Sequence, residues 1–249
     1  GEAFHAVLNG IRRLGYCVDT RILRAEDYGI PQERRRVIII GNRIGAPIVW
    51  PQRTHGLTLR PLISIKDAIG DLPILSNGED LGVTKYRVHA ASEYQREMRQ
   101  GSISVHNHSA PKLGEINIER MRHIPQGGSW RDIPFDLLPD GMKRAKRSDH
   151  TKRYGRMSWN GQSSTVLTKC DIHWGAFIHP DQDRSITVRE AARIQSFPDW
   201  FHFMGPRTGQ FVQVGNAVPP ILGKRIGQAM QEASATVIGI PKRAVAMAS

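Results

Sequence analysis

Arg34, Arg35 and Arg36 run directly into the apolar stretch Val37–Gly41. In an extended chain successive side chains alternate, so Arg34 and Arg36 share one face and Arg35 takes the other. Two guanidiniums on one face of a loop-to-strand junction form a fork for a phosphate or a base edge. The same pair also fits a solvated basic strand end. Far downstream, "QVGNAVPP" (213–220) reads as a Gly–Asn turn opening a helix capped by Asn216. Free N–H groups and a partial positive charge at such an end would meet a ligand's polar edge, with an ordinary capped helix as the alternative. A third group lies between them. Residues 143–156 carry seven basic side chains against one acidic, Asp149. Lysine and arginine clusters of this kind mainly supply salt-dependent affinity for phosphates, which suits Lys143, Arg144, Lys146, Arg147, Lys152 and Arg153.

Several elements must position these residues. Ala3, Phe4, Val7, Leu8, Ile11 and Leu14 follow helical spacing, and Gly15 is placed to end that helix. "YCVDTRIL" alternates like a strand, and Gly29 and Pro31 break the periodicity after it. "RVIIIG" is apolar enough to predict a strand buried on both faces, within a parallel or mixed sheet. From about 44 to 183 periodicity is weak and no long helix is evident; "SIKDAIGDL" (64–72) predicts a short helix capped by Ser64. Thr187 and Glu190 form a capping box opening a further helix. "NAVPPILGKRIGQAMQEASA" predicts a long helix from Asn216, followed by a loose tail over 237–249.

Composition narrows the class. The chain of 249 residues is long enough to bury a substantial core, and 35 basic against 23 acidic side chains give a net charge of +12. A strongly basic balance points to a polyanionic partner, most simply nucleic acid, or else to an indifferent basic surface. Two cysteines, Cys17 and Cys170, without a CxxC pair, argue against a disulfide framework or zinc knuckle and fit a reducing compartment. No apolar run approaches the ~18 residues of a transmembrane helix. The sequence starts without a methionine or signal peptide, which reads as a fragment or one piece of something larger.

Weaker candidates remain. "HNH" at 106–108 lacks the ligand spacing of a nuclease site. His173 and His179 could be metal ligands, yet without cysteine partners they suit ordinary surface positions, and no metal is expected. "IPQGGSW" (124–130) reads either as a loop entering a DNA groove or as a turn with a buried Trp130.

Taken together and in this order, three stretches resemble the C-terminal motifs of DNA (cytosine-5) methyltransferases. Gln32, Arg34 and Arg36 match that family's Gln-x-Arg-x-Arg motif. "RSITVREAARIQSFPD" is similar to its Arg-x-Leu-Thr-x-Arg-Glu-x-Ala-Arg-Leu-Gln-x-Phe-Pro-Asp motif at Arg184, Thr187, Arg189, Glu190, Arg193, Gln195, Phe197, Pro198 and Asp199, with Ile186 and Ile194 in place of leucines. "QVGNAVPP" resembles the Gln-x-Gly-Asn-Ser/Ala-Val motif at Gln213, Gly215, Asn216, Ala217 and Val218. The resemblance implies an α/β fold: part of a Rossmann-like S-adenosylmethionine-dependent methyltransferase domain, plus a small, irregular, mostly β target recognition domain. The implied division is 1–48 for the closing strands and helix of the catalytic domain, 49–204 for the recognition domain, 205–236 for the returning segment, and 237–249 for the tail.

The resemblance also implies roles. The partner is double-stranded DNA whose target cytosine is flipped out, because C5 cannot be reached in the stack. Arg36 is then the expected donor to cytosine O2, with Arg34 and Gln32 holding the pocket or a neighbouring phosphate. Gly215, Asn216 and Ala217 would border S-adenosylmethionine, in a site only partly contained here. The family's Phe-x-Gly-x-Gly cofactor loop, Pro-Cys-Gln nucleophile and Glu-Asn-Val carboxylate are not found in this sequence. The expectation is therefore the C-terminal portion or subunit of a bacterial or phage-type, cytoplasmic modification enzyme that needs an N-terminal half. A DNA-binding specificity subunit or remnant without activity is the alternative; an RNA cytosine methyltransferase of the same fold fits the long recognition region less well.

Overall fold

The computed structural model describes residues 1–238. Helix α1 (Glu2–Arg13) ends at Leu14 and Gly15, where the sequence places its stop. Strands β1 (Cys17–Arg24) and β2 (Arg35–Asn42) pair antiparallel as a hairpin, with Leu23 opposite Arg36 and Arg24 opposite Arg35. They are joined by a 3-10 turn (Ala25–Tyr28) and Gly29. Gly29 has φ +83° and a Cβ there would lie 2.5 Å from the His55 ring, so both the backbone and the space demand glycine. One face of the hairpin packs Leu23, Ile38 and Ile40 against Trp50 and Leu222.

The other face corrects the sequence expectation for β2. Ile22 and Val37, which are cross-strand partners, are 66% and 53% exposed, and Ile39 is exposed beside them. Among the described residues the sheet has two strands only, antiparallel rather than parallel, so no neighbour covers that face.

The middle of the chain is irregular, but it is not mostly β. Its strands β3 (Thr84–Lys85) and β4 (Ser104–Val105) have two residues each. Short helices dominate instead: α2 (Ile65–Ile69), α3 (Glu93–Arg99), α4 (Glu115–Arg122), α5 (Asp140–Lys143) and α6 (Val188–Ile194). Capping explains how such short pieces hold. Ser64, Ser92 and Thr187 each make the reciprocal capping box, the first and last as the sequence indicates. Residues 49–204 use caps and side-chain bonds in place of the expected β ladders, and their sequence has too little period-two alternation to sustain a ladder.

Helix α7 (Arg207–Asn216) was not foreseen, and α8 runs Pro220–Ile238. Asn216 therefore ends a helix rather than capping one, and Pro220 opens the next. The expected Gly–Asn turn is instead the last turn of α7, where Gly215 is held by close approach of the Leu167 backbone. Of the tail expected over 237–249, residues 237 and 238 still belong to α8, and 239–249 lie outside the described residues. The largest apolar cluster joins α2, α3, α6 and α7 through Ile65, Tyr94, Ala191, Ile194, Phe211 and Val214, and a second surrounds Met121, Trp130, Tyr154 and Ile172.

Candidate active site

The three stretches singled out from sequence meet in one hydrogen-bonded hub. Gln32 is fully buried at the entry to β2. Its Nε2 donates to Gln195 Oε1 at 2.5 Å, and its Oε1 accepts from the Val166 backbone N–H at 3.0 Å. Gln195, just past α6, donates in turn to the carbonyls of Val214 (3.2 Å) and Ala217 (2.8 Å). Arg34 closes the circuit: its guanidinium donates to the Val166 and Gly215 carbonyls, both at 3.1 Å. Residues 32–34, 163–166, 194–195 and 214–217 are thereby one unit. Segment 163–166 carried no signal in sequence; it is held by Glu33 N–H to Ser163 O (2.8 Å) and Ser163 N–H to Pro31 O (3.0 Å).

The arginines divide their work along the predicted alternation. Arg34 and Arg36 lie on one face of β2, and Arg35 lies on the other. Arg34 is 4% exposed, and burial, helped by the charge of Arg36, pushes its guanidinium down to about 10. It is a strut between backbone carbonyls, not an open donor; only its Nε is buried without a partner. Arg36 is exposed, touches no carboxylate, and makes one hydrogen bond, from Nη1 to the Arg35 carbonyl at 2.7 Å. Its remaining donors are free for a ligand.

Gly215 and Ala217 serve the same hub. A Cβ on Gly215 would lie 2.4 Å from the Leu167 carbonyl carbon, so α7 and the 166–168 backbone can approach only through glycine. The carbonyls of both residues are taken by Arg34 and Gln195. Asn216, between them, is exposed, and its carboxamide has no hydrogen bond among the described residues.

The basic residues of α6 turn inward. Arg189 and Arg193, and Arg184 just ahead of the helix, are each fully buried. Arg184 grips Glu190 with two bonds of 2.8 and 2.7 Å. Burial alone would raise the Glu190 carboxyl, but Arg184 outweighs it and holds the group well below the usual carboxylate range. Arg193 bridges Asp71 (3.1 Å) and Asp199 (2.6 Å) and donates to the Ala68 carbonyl. Tyr86 also donates to Asp199. This long motif binds the domain together from inside.

The remaining candidates resolve similarly. His108 of the "HNH" stretch is buried between Thr187 and the Pro73 carbonyl. His179 is buried as a neutral acceptor for the Asp181 and Gln182 N–H groups, and burial pushes it down to about 4. His173 pairs with Asp171. No group of three or more His, Cys, Asp or Glu side chains among the described residues is arranged for a metal. Trp130 is buried, so 124–130 is a turn rather than a groove-entering loop. Cys170 is buried and its thiol is pushed up to about 12, while Cys17 lies exposed on β1. A thiol held protonated by burial is no nucleophile.

In the basic run, Lys143 and Arg153 are half-buried, and Arg144, Lys146, Arg147 and Lys152 are exposed. Arg156, counted with them in sequence, is instead internal, bonded to the Ile124 and Met121 carbonyls and to Asp183. Neutralising Lys143, Arg144, Lys146 and Arg147 together is expected to weaken binding to all duplexes alike. Each lost phosphate contact should flatten the log–log salt dependence by about 0.9. A changed sequence preference at unchanged slope would make the run a base reader instead.

The hub joins the strand-end arginine, buried α6 and the α7–α8 junction, and comparison with known proteins gives the family. The chain belongs to the C-5 cytosine-specific DNA methylase family, matched over residues 1–232. Members of this family use S-adenosylmethionine. DNA (cytosine-5)-methyltransferase 2 of Arabidopsis thaliana is 33% identical, covering 94% of this chain and 18% of that protein. Type II methylase M.HgiDII of Herpetosiphon aurantiacus is 32% identical, covering 93% of this chain and 60% of its own length. The chain thus spans less than two thirds of these relatives. In fold it is similar to a prophage-encoded E. coli protein assigned as a DNA modification methyltransferase, with TM-score 0.69, 22% identity, and coverage of 94% of this chain and 66% of that one. No helix among the described residues is long and apolar enough to cross a membrane.

Proposed function

We propose that this chain is the C-terminal portion of a cytosine-5 methyltransferase, binding a short duplex DNA site and presenting Arg36 to a flipped cytosine. The observation that carries this reading is the division of labour at 34–36. Arg34 is locked into two distant backbone segments, at Val166 and at Gly215, which fixes the strand end, and Arg36 emerges from it with donors unused among the described residues. Arg36 would donate to cytosine O2. Gln32 and Arg34 would act as positioning residues. The +12 net charge supplies general attraction to DNA.

S-adenosylmethionine would supply the methyl group. Asn216 fits its border as an exposed carboxamide with no partner among the described residues, whereas Gly215 and Ala217 contribute shape and backbone. A separate N-terminal segment would carry the nucleophile, since neither cysteine here is placed for it. The exposed apolar face of Ile22, Val37 and Ile39 supports this, because a sheet face of that kind is stable when covered. In this reading 1–48 and 205–236 belong to the catalytic domain and 49–204 to the recognition domain, in a DNA-associated, cytoplasmic enzyme.

The chain alone is expected to bind duplex DNA and to transfer no methyl group from labelled S-adenosylmethionine. Adding an N-terminal segment bearing Pro-Cys-Gln should restore transfer. Transfer by the chain alone that Cys17→Ser or Cys170→Ser abolishes would overturn the assignment. Binding without restored transfer would favour the inactive specificity subunit.

A further inference from the structure

We propose that Trp174 is a base-contacting residue that sets sequence preference, packing its indole against an apolar base edge in the groove, such as a thymine methyl. This rests on the duplex-binding reading above and assigns a reader to it.

Trp174 is 56% exposed, unlike the buried Trp50 and Trp130. Its indole N–H makes no hydrogen bond among the described residues, whereas Trp159 donates to Asp181. Its backbone, however, is pinned. The Trp174 N–H donates to Asp171 O (3.0 Å), the Tyr154 N–H to Ile172 O (2.7 Å), and the Gly155 N–H to Gly175 O (3.4 Å). Ile172 and Phe177 on either side are fully buried, and a Cβ on Gly175 would lie 2.5 Å from the Phe177 ring. A large aromatic projecting from a backbone this constrained loses little entropy on contact.

Charge selects the occupant. The Arg153 guanidinium lies 5.0 Å from the Trp174 ring centroid, and the exposed Lys152 adjoins Arg153 in sequence. Trp200 is equally exposed, yet its aromatic neighbour is Phe201 and no cation stacks on it. An exposed aromatic backed by a guanidinium and bordering a basic run can meet a base edge in the groove while the cations take the neighbouring phosphates.

The test uses the full chain. A duplex is selected from a random-sequence pool, and its binding is compared with that of a scrambled duplex across a salt series. Trp174→Ala should lose about tenfold on the selected duplex, the scale of losing the readout of one base pair. The scrambled duplex should change little, the salt slope should stay unchanged, and Trp174→Phe should retain most of the preference. Thermal midpoints should match, because the side chain is largely outside the core. Equal loss on both duplexes with a flatter slope would reduce Trp174 to a prop for Arg153 and overturn the proposal, as would unchanged affinity. Wild-type binding with no preference among duplexes overturns this inference alone; no duplex binding at all overturns the functional reading with it.

Discussion

Replacing Arg193 by alanine is expected to destabilise the chain by about 3–5 kcal/mol, the cost of breaking a buried ion pair. Two buried carboxylates would each lose a charged partner, leaving Asp71 with Arg99 and Asp199 with Tyr86 and the more distant Arg189. Asp71 and Asp199 are 1% and 0% exposed, and both use Arg193. Burial alone would lower the Arg193 guanidinium, but the two carboxylates outweigh it and raise it, so the charged form is the one the fold requires. At ~2–4 °C per kcal/mol for a chain of this size, the thermal midpoint should fall by roughly 6–20 °C. Arg193→Lys should recover little, because a lysine cannot serve Asp71, Asp199 and the Ala68 carbonyl together. Arg122→Ala is the control. Its pair with Glu119, 2.8 Å long, is exposed and should be worth under ~1 kcal/mol. Matching midpoints for Arg193→Ala and Arg122→Ala would show that the internal network does not hold the domain.

The second large effect concerns Arg36 in an enzyme reconstituted with its N-terminal segment. Hydrogen bonds from a charged donor are worth roughly 1.5–3 kcal/mol, so Arg36→Ala should slow methylation by about one to two orders of magnitude. Duplex binding before flipping should change less. The thermal midpoint should not move, because Arg36 is exposed and bonds only to the Arg35 carbonyl. Arg34→Ala should behave differently, lowering stability and activity together, since it removes the links to Val166 and Gly215. Arg35→Ala, on the opposite strand face, should stay near wild type. Single-turnover methylation with parallel melting curves separates the three. Methylation crippled by Arg35→Ala but spared by Arg36→Ala would remove Arg36 from the role.

The pattern of local signals in the sequence determined a good deal. Helix α1 and its stop at Gly15, both hairpin strands, the alternation at 34–36, and the capping boxes at Ser64 and Thr187 are all short-range, set by side-chain period and by bonds within one turn. The order of the three motifs carried the family. Burial was another matter. Arg184, just ahead of α6, and Arg189 and Arg193 on it are buried against Glu190, Asp199 and Asp71, and sequence alone does not show that these carboxylates come within reach. Arg156 was misread for the same reason. Gly215 resembled a turn because the Leu167 backbone that requires it lies 48 positions earlier in sequence. Which face of β2 is buried, whether Arg34 or Arg36 stays open, and why residues more than 130 positions apart act as one site were decided by tertiary contacts, because backbone carbonyls at Val166 and Gly215 leave no mark on amino-acid type.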